Sequence, residues 1–258
     1  MTSLPGQYLY GVVRCSAERT FGDVAPIGDP QGPVHTVPCN GLAVVVSNTP
    51  VGEYEITRAN MMAHQRVLER VMLEYTVLPV RFGTVAQDPC PSKLVRKLLA
   101  ARSGEFGRLL AEMDGMAELG LKALWRDEKA IFQEIVGQNG AIRQLRDSLE
   151  GKPSQATHFQ RIRLGELVKG AMDQKRATEA QGILAPLRQI AVRAVENQLI
   201  ADRIVANAAF LVDRRREEEF DQAVAKLDRG LGHRMVFKYV GPVPPYNFVN
   251  LTVNWSEL

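Results

Sequence analysis

Cysteine is scarce in this chain of 258 residues, and its three cysteines form no recognisable pattern. Cys15, Cys39 and Cys90 are odd in number and far apart, and they include no CxxC pair. Small extracellular proteins held together by disulfides have many paired cysteines, whereas scattered free thiols are typical of a reducing cytoplasm. The sequence therefore predicts a protein without structural disulfides in a reducing compartment.

Long apolar stretches and a targeting segment are also lacking. The most apolar short run, residues 42–46, has the length of a strand, and no run approaches the roughly 18 apolar residues of a membrane-spanning helix. Residues 1–13 lack the basic start and apolar centre of a signal peptide, and Pro5 and Gly6 interrupt them. We therefore expect a soluble, cytoplasmic protein that does not bind a lipid membrane.

Neither sign of charge is in large excess. The chain has 32 lysines and arginines against 29 aspartates and glutamates, which gives a net charge of +3. A nucleic-acid-binding surface would need a larger basic surplus or a known recognition module, so we predict no nucleic acid as a partner. Hydrophobic residues form 45% of the chain and charged residues 24%, which excludes a disordered chain and favours a folded globular protein.

The sequence lacks the common signatures of catalytic, metal and cofactor sites. Its histidines are scattered, with no HExxH motif and no Cys/His ligand spacing: His35, His64, His158 and His233. Gly-rich phosphate-binding motifs and the GxSxG motif of hydrolases are absent as well. We predict no metal, no cofactor and no small-molecule substrate. His64 lies on the apolar stripe of a predicted helix, and we interpret it as a hydrogen-bonded structural residue.

The first part of the sequence predicts a small sheet followed by helices. Runs rich in aromatic and β-branched residues are typical of strands, and Asn40–Gly41 between two of them is a hairpin turn signal. One helix should begin at Thr57 and end before Pro79, and another should start from a cap at Ser92. The predicted strands are residues 8–13, 34–38 and 42–46, and the second helix extends to about residue 110.

The second part predicts mainly helices. Asp127 is suited to cap the first of them, and Ser154 or Thr157 the second. The helical pattern covers residues 127 to about 208, with interruptions at 137–140, 151–153 and 182–186. The other predicted elements are strands at 119–125, 209–212 and 235–240 and an amphipathic helix at 217–230.

This order of elements is typical of an α+β protein, in which a small sheet has helices on one face. A chain of this length favours two domains. We predict an N-terminal α+β domain at residues 1–115 and a C-terminal α+β domain at residues 116–258. The second would contain a helical insertion at about 127–208 and end in a proline-rich tail.

Two extended segments have unusual composition. The first, LPVRFGTV at residues 78–85, places Arg81 beside Phe82 in a mostly apolar run. A buried arginine needs an ion-pair partner, so one interpretation is a core salt bridge, and the other is an arginine and an aromatic anchor that face a partner.

The second segment is GPVPPYNF at residues 241–248. Its three prolines remove backbone donors and hold the chain extended, so it cannot be a central strand. Tyr246 and Phe248 offer large apolar side chains on this stiffened backbone. Either the segment covers an edge of its own sheet, or it is a docking surface for another protein.

These segments occur in a recognisable order along the chain. YLYGVV at 8–13, VLPVRFGTV at 77–85, AFLV at 209–212 and GPVPPYNF at 241–248 together resemble the GvpL/GvpF family of gas vesicle proteins. The resemblance extends over nearly the whole sequence. It implies two α+β domains, the C-terminal one being a modified ferredoxin-like sheet with an inserted helical region.

The resemblance also implies a function without catalysis. Members of this family are minor components or accessory factors of gas vesicles, the hollow protein shells that provide buoyancy. They are thought to bind the small hydrophobic shell protein and other accessory proteins, and to limit premature aggregation of the shell protein during nucleation. We expect such a protein at the gas vesicle and in the cytoplasm.

We expect Arg81, Phe82, Tyr246 and Phe248 to contact partner proteins, because aromatic and arginine side chains are common at the centre of interfaces. Two alternatives stay open. One is an enzyme on a ferredoxin-like scaffold whose catalytic carboxylates only the fold brings together. The other is a nucleic-acid-binding regulator, which should bind in a salt-dependent way.

Overall fold

The computed structural model describes residues 5–28, 32–50, 52–153 and 155–257 of the chain. The chain is a mixed α/β protein with antiparallel sheets, which agrees with the predicted α+β class. It divides into two compact units. Unit 1 comprises Met1–Glu118 and Pro242–Leu258, and unit 2 comprises Leu119–Gly241.

The sheet of unit 1 has the strand order β2-β3-β4-β1-β5. A further strand, β6, pairs with the first residues of β1, whereas β5 pairs with its later residues. Because β4 also pairs with β1, β1 is an interior strand of the sheet. The elements are β1 (Gly6–Arg14), β2 (Thr20–Phe21), β3 (Val34–Cys39), β4 (Leu42–Thr49), α1 (Arg58–Met72), β5 (Val77–Pro79), β6 (Val85–Gln87), α2 (Pro91–Ala101) and α3 (Ser103–Met113).

The predicted hairpin is confirmed. Asn40 and Gly41 join β3 to β4 with φ angles of 51° and 80°. Positive φ at both central residues is the geometry of a type I′ turn, which matches the twist of the strands it connects. The predicted cap of α1 is also confirmed, because the Thr57 side chain accepts a hydrogen bond from the Asn60 backbone N–H.

The core of unit 1 lies where α1 packs on β1. Val67, Leu68 and Val71 form the buried stripe of α1. Gly11 in β1 allows this close approach, since a Cβ atom there would lie 2.7 Å from Val77 Cγ2 and 2.9 Å from the Leu78 carbonyl oxygen. The pairing of β1 with β4 also shifts register next to Gly11.

Unit 2 has a sheet of order β10-β7-β9-β8. Its elements are β7 (Met116–Trp125, which begins in unit 1), α4 (Glu128–Gln138), α5 (Gly140–Leu149), α6 (His158–Arg188), β8 (Arg193–Glu196), β9 (Ile204–Asp213), α7 (Glu217–Leu231) and β10 (Met235–Val243). The apolar sides of these helices cover the sheet around Trp125 and Phe210, which are fully buried.

Two helix predictions were wrong in detail. The helix predicted from Ser92 to residue 110 is two helices, α2 and α3, which are separated at Arg102, and Cys90 rather than Ser92 precedes α2. The interruption predicted at residues 182–186 does not occur, because α6 continues through Pro186 to Arg188. Ile183, Leu184 and Leu187 are buried there, and their packing maintains the helix across the proline.

The helical pattern predicted up to residue 208 ends at Arg188. Residues 193–196 form β8, and β9 begins at Ile204 rather than at residue 209. Alanines at 206, 208 and 209 favour a helix by propensity, but β9 lies between β7 and β8 and is buried on both faces.

The prediction of Asp127 as a helix cap is confirmed, because its side chain accepts hydrogen bonds at the start of α4. Thr157 precedes α6 without capping it through its side chain, and Ser154 lies outside the described residues.

The proline-rich tail was predicted to belong with residues 116–258. In the structure, Pro242–Leu258 groups with unit 1. The reason is a backbone pairing: Val80 forms a parallel bridge with Leu251, and the Arg81 N–H donates to the Leu251 carbonyl oxygen. The last part of the chain therefore completes the unit that the first part begins.

Candidate functional site

A groove with a volume of about 630 Å³ opens in unit 1. Its walls are the first half of α1, the loop that follows β5 and the segment after β10. We call it the α1 groove. It is lined by Met61, His64, Gln65, Pro79, Val80, Arg81, Phe82, Tyr246, Val249, Asn250, Leu251 and Thr252.

The groove brings together three of the four residues that the sequence predicted to contact a partner. Arg81, Phe82 and Tyr246 all line it, although Tyr246 is more than 160 positions from the other two. Tyr246 is 39% exposed. Phe248 does not line the groove and is only 8% exposed, so its side chain is buried and does not reach the groove.

The core salt bridge considered for Arg81 is not formed. The Arg81 side chain is exposed, and within the described part of the chain it has no ion-pair partner. Its backbone is nevertheless fixed, because its N–H donates to Leu251 and its carbonyl oxygen accepts from the Thr84 hydroxyl at 2.7 Å. The guanidinium group therefore extends from a rigid backbone into solvent.

The inner end of the groove contains a buried aromatic cluster around His64. Tyr8 and Tyr10 alternate along β1 and so share one face of the sheet. The Tyr8 hydroxyl lies 2.9 Å from His64 Nδ1, and the Tyr10 ring stacks on the imidazole at 5.6 Å between centroids. Phe82 contacts the same imidazole edge-on at 5.7 Å. The interpretation of His64 as a hydrogen-bonded structural histidine is confirmed.

Burial keeps this cluster uncharged at neutral pH. Desolvation lowers the pKa of His64 to about 4. It raises the pKa of the Tyr8 phenol well above its usual range, and it raises the pKa of Tyr10 to about 12 against the opposing effect of a hydrogen bond with Ser47. The sequence signal that could have located this cluster is the Tyr-x-Tyr spacing at the start of β1.

The segment after β10 is fixed by a buried carboxylate. Glu118, which is 3% exposed, accepts hydrogen bonds from the Asn247 backbone N–H at 2.8 Å and from its side-chain amide at 2.6 Å. Burial raises the pKa of Glu118, although the bonds from Asn247 act in the opposite direction. Further along, the Arg102 guanidinium donates to the Thr252 carbonyl oxygen at 2.8 Å.

Of the two interpretations of this segment, edge cover agrees with the backbone pairing just after it, and the docking surface stays a prediction. Leu251 pairs beside Val80, just after the outermost strand β5, which is edge cover. Tyr246 meanwhile presents its ring on the outer wall of the groove. Partial burial and the negative charges of Glu69 and Glu118 raise the pKa of the Tyr246 phenol, so the ring is neutral at the groove mouth.

We expect Asn247→Asp to detach this segment locally. The new carboxylate would lie within hydrogen-bonding distance of the Glu118 carboxylate, where both cannot be ionised without loss of the contact. Amide hydrogen exchange at residues 242–257 should accelerate about tenfold at pH 7, and less in mild acid where the pair shares a proton.

The matched control is Asn250→Asp, which makes the same change at an exposed position of the same segment. It should leave the exchange rates near those of the unmodified protein. Equal exchange in the two variants would show that the Glu118–Asn247 contact does not hold the segment.

No group of histidine, cysteine, aspartate and glutamate side chains in the described residues is arranged to bind a metal ion. Within the same residues, no helix combines the length and the apolar character that crossing a bilayer requires.

Comparison with known proteins identifies close relatives in one family. A family model described as gas vesicle synthesis protein GvpL/GvpF matches residues 6–250. Over 242 residues the chain is 32% identical to gas vesicle protein F of Streptomyces sp. (strain CB03234), with 94% of this chain and 98% of the relative covered.

Solved structures agree with this match. The crystal structure of the gas vesicle protein GvpF from Anabaena sp. PCC7120 is similar to this chain with a TM-score of 0.81 and 26% identity, over 96% of this chain and 99% of that one. The crystal structure of GvpF from Microcystis aeruginosa gives a TM-score of 0.78 and 26% identity, over 95% and 99%. The family match at residues 6–250 includes most of the residues that line the α1 groove.

Proposed function

This chain belongs to the GvpL/GvpF family of gas vesicle synthesis proteins, and from that premise we propose that it is a non-enzymatic accessory or minor structural protein of gas vesicle assembly. Membership gives it a role in gas vesicle formation. The finer proposal is that it binds the hydrophobic shell protein and other gas vesicle accessory proteins, at the vesicle and in the cytoplasm before assembly.

The observation that carries this proposal is the α1 groove. Arg81, Phe82 and Tyr246 meet there on one accessible surface, and their types are those that dominate binding energy at protein interfaces. Phe248, in the same short segment, is buried and does not line the groove. The described lining of the groove contains no acidic side chain and no cysteine, which favours binding over acid–base or nucleophilic chemistry.

The physical need for such a partner follows from the shell protein itself. A subunit with a dry, apolar, gas-facing side is prone to associate before it reaches a growing shell. A soluble protein that covers the apolar side and releases it on assembly would limit premature aggregation. An apolar groove beside a helix is suited to this, because a partner helix or extended segment can place its apolar face there.

We also propose that unit 2 is a modified ferredoxin-like domain. Its strands and helices follow the order β-α-β-β-α-β, with the first helical part expanded into α4, α5 and α6. The sheet order places the fourth strand beside the first, then the third and the second, which is the ferredoxin-like arrangement. The predicted domain boundary near residue 115 stays part of this proposal.

The test is complementation in cells that carry the other gas vesicle genes but lack this one. The unmodified protein should restore buoyant cells and should co-purify with the shell protein. We expect the double variant Phe82→Ala, Tyr246→Ala to reduce the fraction of buoyant cells and the amount of co-purified shell protein about tenfold, at unchanged thermal stability. Arg81→Ala, at an exposed position, gives a second variant if the first lowers stability.

The matched control truncates two apolar side chains that are exposed outside the groove, Leu73→Ala and Phe159→Ala, at 78% and 84% exposure. It should behave as the unmodified protein. Undiminished co-purification of the groove variants would contradict the assignment of these residues. Failure of the unmodified protein to bind any gas vesicle protein would contradict the accessory role itself, and salt-dependent binding to nucleic acid would favour a regulator instead.

A further inference from the structure

His64 has one ring nitrogen fixed by a buried hydrogen bond. The Tyr8 oxygen accepts from the Gly83 backbone N–H at 3.1 Å and lies 2.9 Å from His64 Nδ1. Within the described residues the Tyr8 hydroxyl proton has no other acceptor, so it is donated to Nδ1. The imidazole is neutral, as its lowered pKa requires, and therefore carries its hydrogen on Nε2.

The other nitrogen of His64 is available from the groove. Nε2 makes no hydrogen bond to the described part of the chain, and it is not among the fully buried polar atoms without a partner. Because the His64 ring lines the α1 groove, this N–H faces the groove and can donate to an acceptor that enters it. Two buried tyrosines, Tyr8 and Tyr10, hold the ring in place.

One side chain in the described lining of the groove is positively charged. Arg81 is the one ionised side chain among the described residues that line the groove, and it has no ion-pair partner in them. Glu69, the acidic residue of α1, accepts a hydrogen bond from Gln65 of the lining at 2.7 Å and does not pair with Arg81. An incoming carboxylate would therefore meet an unpaired guanidinium.

The rest of the lining is mainly apolar and extends beyond the groove. Val80, Phe82 and Leu251 form its interior with Met61, which is half exposed at the rim. Ile56 and Met62 near the start of α1 are also exposed, so apolar surface continues along the helix. A lone small carboxylate would leave this surface uncovered, and a nucleic acid would place several phosphates against one cation.

We propose that the α1 groove recognises an apolar segment of a partner polypeptide that carries a carboxylate, with Arg81 pairing with the carboxylate and the His64 Nε2–H donating to a carbonyl oxygen of the segment. This inference rests on the proposed function, because it specifies the chemistry by which the groove selects a protein partner. Methionine at the rim suits such a site, since its flexible side chain adapts to the shape of an apolar ligand.

The test uses the full chain and short fluorescent peptides that overlap along the shell protein of the same gene cluster. The peptide that binds best should contain an acidic residue flanked by apolar residues. Replacing its carboxylate by the carboxamide should weaken binding to the unmodified protein about fivefold. Arg81→Gln should weaken binding of the acidic peptide by a similar factor and leave binding of the carboxamide peptide unchanged. This pattern is expected when the guanidinium and the carboxylate pair directly.

His64→Phe removes the donor and keeps an aromatic ring at this position, and it should weaken the binding of both peptides equally. Because this change also affects a buried hydrogen bond, the Arg81→Gln cycle is decisive if His64→Phe lowers stability. Arg58→Gln is the control, an exposed arginine at the start of α1 that does not line the groove.

The outcomes separate this inference from the function it rests on. If the intact shell protein binds the unmodified protein and Arg81→Gln equally, the carboxylate pairing is wrong and the accessory role stands. If single-stranded DNA displaces the peptide at physiological salt, the groove selects phosphates and the inference is overturned. If neither the intact shell protein nor its peptides bind, the proposed shell-protein partner itself is wrong.

Discussion

Gly11→Ala is expected to lower the free energy of unfolding by about 3 kcal/mol. The added methyl group would lie 2.7 Å from Val77 Cγ2, 2.9 Å from the Leu78 carbonyl oxygen and 3.0 Å from Leu68 Cδ2. The carbonyl belongs to β5, which pairs with β1, so it cannot move without disturbing the sheet. Relief of the contact must therefore separate β1 from β5 or displace α1.

The same substitution in α3 provides the matched control. Gly107 has no atom within 4 Å of the position a Cβ would take, and it lies inside a helix. Gly107→Ala should therefore raise the free energy of unfolding by about 1 kcal/mol, because alanine is the better helix former. Urea denaturation, monitored by circular dichroism, measures the free energy of unfolding of both variants. Equal stabilities for the two variants would refute the close approach of β1, β5 and α1.

Acidification from pH 7 to pH 4 should remove about 3 kcal/mol of stability through His64 alone. In the unfolded chain this histidine binds a proton near its ordinary pKa of 6.5, whereas in the folded protein its pKa is about 4. Between these values the unfolded state binds more protons than the native state. Stability is therefore complete above pH 6.5 and is lost progressively as the pH falls toward 4.

His64→Gln isolates this contribution, since glutamine does not titrate. The carboxylates of the protein also titrate in this range, so the informative quantity is the stability difference between the unmodified protein and the variant at each pH. That difference should shrink by about 3 kcal/mol from pH 7 to pH 4. The control His158→Gln makes the same substitution at an exposed position outside the buried cluster. A constant difference for His64→Gln would mean that the imidazole is not buried.

Elements controlled by neighbouring residues could be predicted from the sequence. The Asn40–Gly41 turn and the Thr57 cap depend on the conformations and hydrogen bonds of a few adjacent residues, and both were found where expected. The separation of α2 from α3 at Arg102 was missed, and one of the contacts made there is distant in the sequence. The Arg102 guanidinium binds Glu105 and also the carbonyl oxygen of Thr252, 150 positions later in the chain.

The candidate site was predictable in its residue types but not in its geometry. Composition pointed to Arg81, Phe82 and Tyr246 as interface residues, and the fold brings them into one groove. The inward orientation of Phe248 depends on the turn after Pro245, in which the Val249 N–H donates to the Pro245 carbonyl oxygen. The contribution of Tyr8 was not visible, because the sequence cannot show which tyrosine of the sheet contacts His64 on α1.

The interleaving of the two units along the chain has a consequence for biosynthesis. Unit 2 is translated in full before Pro242–Leu258, which supplies one wall of the α1 groove. A ribosome that has produced only the first 241 residues therefore presents β5 and α1 without their final covering segment. The groove is complete only after residues 246–252 have been synthesised, so the binding that we propose there requires their translation first.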